Sequence, residues 1–401
     1  MIFSLFLSFF IVIIAITYLD WKLWGTIYTP VVVLSWPFLI LLIIDFFYIE
    51  TNYKNFKLNE LVIPIWAIGI LFFWFGGLLV KLIFKNIKVN RIRLQRFGQV
   101  IIISKTNLFR LILLSYPLII LVVFKVYFLL SKYYFNLADE DFQKNLGSGF
   151  IAHSILLLTI ISIFLIIFFN KKHYKILQIL IVVITLILSI LYGVKSWIII
   201  PIISAFFGRL LLQKTKFGYK HILVVVFPFL MFWLIYQISL GMNVANNDFI
   251  FRHMVNYLLA GPIGFSEHLN QLYPIGSNPQ YAFSPLINIF RFIIGETSQD
   301  VISSYFVNIP TGFDSNVKTF FGSLYVYGGY TYLLASFLFG LIFYSYLVIF
   351  CYSLKKYNTP IITTLYAFML GLLFMGWFDC YTVLLSFYEA PFLVFFLHFL
   401  F

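Results

Sequence analysis

The stretch LVIPIWAIGILFFWFGGLLVKLIFKNIKVNRIRLQRFGQVIIISK, residues 61–105, decides the reading of the fold. Its first part, 61–84, is an apolar run long enough, at ~1.5 Å per residue, to cross the ~30 Å hydrocarbon core of a bilayer. Its second part carries Lys85, Lys88, Arg91, Arg93, Arg96 and Lys105 and no acid. By the positive-inside rule, a span followed by such a connection has that connection in the cytoplasm.

Working outward, similar apolar runs occupy residues 2–19, 30–48, 108–130, 150–169, 176–192, 197–212, 222–241, 320–350, 361–378 and 383–401. With 61–84 they predict an all-α, polytopic integral membrane bundle of about eleven helices, range ten to twelve, forming one transmembrane domain over 1–401. The run 320–350 is longer than a span needs. Composition agrees: 62% of residues are hydrophobic and 10% charged, against roughly a quarter charged in soluble domains. No basic n-region or small-residue cleavage site marks the first run, so a cleavable signal peptide is not expected.

Threading from the 85–105 connection makes three more connections cytoplasmic: those with Lys171, Lys172 and Lys175; Lys214, Lys216 and Lys220; and Lys355 and Lys356. All are basic without an acid. Glu50, Glu60, Asp139, Glu140, Asp141, Asp248, Glu267, Glu296, Asp300, Asp314 and Asp379 then fall outside, and Asp20 alone falls inside. The N-terminus is placed outside and the C-terminus in the cytoplasm. The net charge of +13 is accounted for by this segregation and calls for no nucleic acid. Cys351 and Cys380 map to opposite faces, which gives no disulfide framework.

The connection 242–318 is far longer than the rest. It is rich in Phe249, Tyr257, Phe265, Tyr273, Phe283, Phe290 and Phe292, too apolar for a solvated tail. Ser284-Pro285 and a run ending at Gly295 predict a short helix with Ser284 as N-cap. The loop is expected to form a small helical cap on the outer membrane surface. Asp45, Lys125, Lys195, Asp379 and Glu389 border the spans on that same side and predict a polar cavity opening outward. Snorkelling to the headgroups is the competing account, and the favoured one for Lys125.

No Walker A loop is present, and none of the histidines is paired at i,i+4 with a metal ligand, so neither nucleotide hydrolysis nor a zinc centre is expected. Asp139-Glu140-Asp141 resembles the acidic clusters by which some sugar transferases hold a metal, but an acid-rich outer loop produced by charge segregation is the favoured account.

The informative stretch is Asn316-Val317-Lys318-Thr319-Phe320-Phe321-Gly322, continuing through Tyr325, Tyr327, Gly328 and Gly329 to Gly340 and Tyr344. It resembles the O-antigen polymerase (Wzy-type oligosaccharide repeat-unit polymerase) family, whose late segment reads roughly Asn-x-x-Thr-x-Phe, an aromatic, an Asp-Phe-Gly-like turn and a glycine-bearing membrane helix. Gly193-Val194-Lys195-Ser196 is similar to that family's Gly-Ser-Arg-like element, and the long outer loop stands in the corresponding place. The resemblance covers about the last half of the chain. Val326 stands where the family often has Asp, Thr331 where it often has Gly, and Lys195 where it often has Arg, which costs the bidentate fork for phosphate.

The resemblance implies a metal-independent glycosyltransferase of the bacterial inner membrane, without cofactor. It would polymerise undecaprenyl-diphosphate-linked oligosaccharides into O-antigen, capsule or exopolysaccharide, alongside a flippase and a chain-length regulator. The reaction needs cations for the diphosphate and a base for the acceptor hydroxyl. Candidate diphosphate ligands are Lys195, Arg252, Arg291 and Lys318, cations on a side otherwise acidic; for the two arginines snorkelling is an equal alternative. Glu267, His268 and Asp314 are candidate bases, Asp314 alternatively being a helix N-cap. Asn316 and Tyr325 are candidates to hold the sugar. A lipid-linked oligosaccharide flippase, or a ligase joining finished polymer to a lipid core, are the competing functions; the paired broken helices common in transporters are not seen.

Overall fold

The computed structural model describes residues 2–44, 58–89, 103–133, 140–191, 196–214, 233, 247–297, 306–308, 314–354 and 359–399. Its helices are α1 (Ile2–Trp24), α2 (Pro30–Ile44), α3 (Val62–Ile83), α4 (Lys105–Lys132), α5 (Glu140–Leu146), α6 (Gly149–Ile167), α7 (Lys175–Leu191), α8 (Ser196–Leu211), α9 (Asn247–Asn270), α10 (Ser284–Ile293), α11 (Phe320–Gly328), α12 (Tyr332–Tyr352), α13 (Pro360–Phe374) and α14 (Leu385–His398). The strands β1 (Val307–Asn308) and β2 (Asp314–Ser315) pair antiparallel.

The protein is a helical, multi-pass membrane bundle. Among the described residues, six helical stretches are long and apolar enough to cross a membrane: Phe3–Trp24, Val62–Ile83, Lys105–Lys132, Gly149–Ile167, Phe320–Tyr352 and Pro360–Trp377. Shorter apolar helices stand at most of the other expected runs, while 222–241, Trp233 apart, lies outside the described residues. The long run 320–350 is two helices, parted by a 3-10 turn at Gly329–Thr331 where Gly329 has φ +59°, a conformation that favours glycine. The 21 residues of α12 alone cover about 31 Å at ~1.5 Å each, so α11 is a separate element at one end of that span.

The chain divides into two compact units. The first comprises Met1–Val89, Phe229–Cys351 and Leu372–Leu385. Its framework is the crossing of α3 and α12, where a methyl group on Gly76 would strike Phe337 O and one on Gly340 would strike Phe73 O. Only glycine lets two backbones approach so closely, and the crossing is held by van der Waals packing that lipid chains do not match. Trp66 locks α3 to its neighbours: its ring stacks on Phe38 at 3.5 Å and meets Phe321 edge-on at 4.9 Å.

Asp20, the one acid that the charge pattern leaves inside, is fully buried on α1. Tyr344 donates to its Oδ2 at 2.7 Å, and the Trp74 indole donates to its Oδ1 at 3.2 Å. A carboxyl among membrane helices is costly unless hydrogen-bonded, so these bonds fasten α1 to α3 and α12.

The second unit comprises Asn90–Pro228, Tyr352–Gly371 and Ser386–Phe401. Its centre is α6, whose residues 154–165 are all buried. The free carbonyls at the C-terminal end of α6 take Arg209 Nη1 on Ile166 O at 3.1 Å and Lys214 Nζ on Ile167 O at 3.2 Å, so cations sit where the helix dipole is negative. Near the other end of α6, His153 Nδ1 and Glu389 Oε1 are 2.8 Å apart.

Candidate functional site

The first unit gathers buried polar groups around the motif 316–322. The approach to α11 is fixed on both sides: Ser315 Oγ donates to Ala260 O at 3.2 Å, and the Thr319 N–H donates to Phe378 O at 3.0 Å. Thr319 has φ +67°, in the left-handed region, where a β-branched residue is strained. Its Oγ1 accepts from the Gly322 N–H at 3.2 Å, which caps α11, and from Trp66 Nε1 at 2.9 Å. The N-cap is thus Thr319, and Asp314 lies in β2 instead. Strain held in place by several bonds is a feature of functional segments.

This path directs Lys318 inward, with no exposed surface. Its Nζ donates to Tyr327 Oη at 3.3 Å and Asn316 O at 3.4 Å, and lies 5.4 Å from the Tyr327 ring centroid. The Tyr327 ring packs on that of Tyr281 at 4.6 Å. Burial pulls the Lys318 ammonium down to about 8, a loss that the nearby Asp379 carboxylate partly offsets.

Asp379 follows the 3-10 turn after α13. Its Oδ1 accepts from Ser323 Oγ at 2.5 Å and from the Cys380 N–H at 2.8 Å. Burial raises its pKa, against the lowering effects of Ser323, Cys380 and Lys318. Desolvation wins, which makes this carboxylate a stronger base than one in water.

The segment 276–279 is tied to the C-terminal end of α11 and the turn after it. The Gly276 N–H donates to Val326 O and the Asn278 N–H to Tyr327 O, both at 2.8 Å, and Thr331 Oγ1 donates to Pro279 O at 3.1 Å. Gly276 and Gly329, both with positive φ, meet face to face: a Cβ on Gly329 would lie 3.1 Å from Gly276 Cα.

His268 is fully buried on α9; its Nε2 donates to Pro274 O at 3.2 Å and its ring lies 5.3 Å from that of Tyr273. Burial lowers its pKa to about 4, with Lys318 adding to the fall and the Pro274 bond opposing it. The structure therefore brings Lys318 within electrostatic reach of both His268 and Asp379.

Of the other expected residues, Asn316 meets this group through its carbonyl oxygen, and the rest stand apart from it or outside what is described. Glu267 accepts from Gln271 at 3.1 Å and Asn270 at 3.3 Å on the α9 surface. Asp314 and Asn316 are exposed. Tyr325 is half-buried, edge-on to Tyr332 at 5.3 Å. Arg291 lies 3.9 Å from Glu296 at the end of α10. Arg252 is on α9, with its side chain outside the described residues, and Lys195 lies outside them altogether. The short helix at 284 is present, but Ser284 is its first residue and donates to Gln280 O, so it is not the cap. Three members of the cluster are not among the candidate site residues: Asp379, which the sequence marks as an outer acid bordering an expected polar cavity, and Tyr281 and Ser323, which no motif marks.

No curated protein and no solved structure matches the chain. A protein family described as a family of unknown function, DUF6337, matches residues 52–401, a stretch that includes the whole polar cluster. On that match the chain belongs to the DUF6337 family.

Proposed function

We propose that the protein is a membrane glycosyltransferase that polymerises polyprenyl-diphosphate-linked oligosaccharide repeat units into a surface polysaccharide. The observation that carries the reading is the pairing of a buried cation, Lys318, with a desolvated carboxylate, Asp379, around a strained Thr319, inside the segment 316–329 that resembles the repeat-unit polymerases.

In this reading the acceptor sugar's hydroxyl oxygen forms a bond to the anomeric carbon of the growing chain. The bond from that carbon to the diphosphate oxygen breaks, its electron pair leaving with the polyprenyl diphosphate. The hydroxyl proton passes to Asp379, whose affinity for a proton burial raises, whereas burial lowers that of His268. Lys318 balances charge on the leaving diphosphate. Lys318 is covered in the structure, so in this reading its surroundings open for the diphosphate to reach it. In the same reading Asn316, whose carbonyl oxygen meets Lys318 and whose side chain is exposed, and the half-exposed Tyr325 hold the sugar.

The test is loss of the gene in its host. Single capped repeats on the surface are the expected outcome. No repeats outside would mean a flippase, and full-length polymer left on its carrier would mean a ligase; either result overturns the proposal.

A further inference from the structure

We propose that α10 is an in-plane membrane helix, embedded among the lipid chains of the leaflet at which α12 begins. The helix is ten residues long, about 15 Å, too short to cross a bilayer. Its large side chains are nevertheless laid bare: Phe292 is 82% exposed, Ile293 72% and Phe290 63%, and Leu286, Ile289 and Ile294 are exposed too. In water that surface would cost roughly 25 cal/mol per Å².

Depth identifies what covers it. Phe283, the residue just before α10, packs its ring on Phe339 at 5.4 Å. Phe339 lies seven residues into α12, about 10 Å below the start of a helix that by itself matches the hydrocarbon thickness. The chain enters α10 below the membrane surface, and on α12 itself Leu334, near the same end, is also exposed. Arg291, drawn toward Glu296 at the helix end, has the reach to keep its charge at the headgroups. The occupant is therefore the bilayer itself, and the placement makes no use of the proposed chemistry.

The experiment uses the full chain in phosphatidylcholine–phosphatidylglycerol liposomes, spin-labelled at Phe292→Cys, at Ile293→Cys and, as the aqueous reference, at Glu296→Cys. Both native cysteines are buried and stay in place. At 292 and 293, collisions with dissolved oxygen should exceed those with a water-soluble nickel chelate several-fold, corresponding to a depth of ~5–10 Å, with the ratio reversed at 296. Dominant nickel collisions at 292 and 293 would overturn the proposal. So would spin–spin broadening that grows with the protein-to-lipid ratio, since the face would then be covered by a second copy.

Discussion

Ser323 on α11 donates its hydroxyl proton to Asp379 Oδ1 at 2.5 Å, joining two turns 56 positions apart in the sequence. That bond favours the ionised carboxylate, whereas burial favours the neutral acid. Ser323→Ala removes the lowering effect, so the pKa of Asp379 should climb further. The acid limb of the pH profile for polymer synthesis should move to higher pH, and Asp379→Asn should cut the rate by ~10²-fold or more. An unmoved limb in a folded Ser323→Ala variant would separate Asp379 from the chemistry.

Lys318→Met tests the cation. Removing one partner of a buried charge pair leaves the other, here Asp379, uncompensated, so the melting temperature in detergent should fall, and in the fraction that stays folded polymer length should fall at least ~10-fold. In the native protein, activity should decline as pH rises through about 8, where Lys318 loses its proton. A full-length glycan ladder from Lys318→Met would remove the residue from diphosphate binding.

His268 predicts acid sensitivity. Its folded pKa, about 4, lies below the ordinary 6.5, so the unfolded chain binds the extra proton between those values and stability falls as pH drops through that window. The loss should approach roughly 3 kcal/mol by pH 4. Thermal unfolding of wild type against His268→Gln across that range measures it, and parallel curves would contradict it.

The glycine crossing sets a packing prediction. Gly340→Leu drives a side chain into the Phe73 backbone, with a cost expected to exceed the ~1–3 kcal/mol of ordinary overpacking. Folded yield from membranes should drop sharply, while Gly295→Ala, which meets nothing within 4 Å and is strained only at its φ of +79°, should be far milder.

A reporter fused near Asn278 should be active only on the non-cytoplasmic side. Cytoplasmic activity there would remove the substrate from the proposed reaction.

Much of the helical framework is legible in the sequence because lipid imposes it: apolar runs of fixed length and basic connections are local signals, and α1, α3, α4 and α6 follow them closely. Lys318 and Thr319 are legible as motif residues. What brings Asp379 to them is the Thr319 N–H on Phe378 O and Ser323 on Asp379, long-range bonds with no periodic signature. Asp20 shows the same gap from the other side. Charge counting finds the lone inner acid, but its partner Tyr344 lies 324 positions away, and sequence spacing does not link them. The break at Gly329 is hidden because both its flanks are apolar.

The Asp20–Tyr344 bond also dates the protein's own assembly. At ~5–20 residues per second, Tyr344 leaves the ribosome roughly 16–65 s after Asp20. Throughout that interval the carboxyl on the first helix lacks its phenolic donor. A chain truncated before α12 therefore holds an incompletely bonded acid on its first helix, and that helix, though the first part made, cannot complete its bonding until α12 is in place.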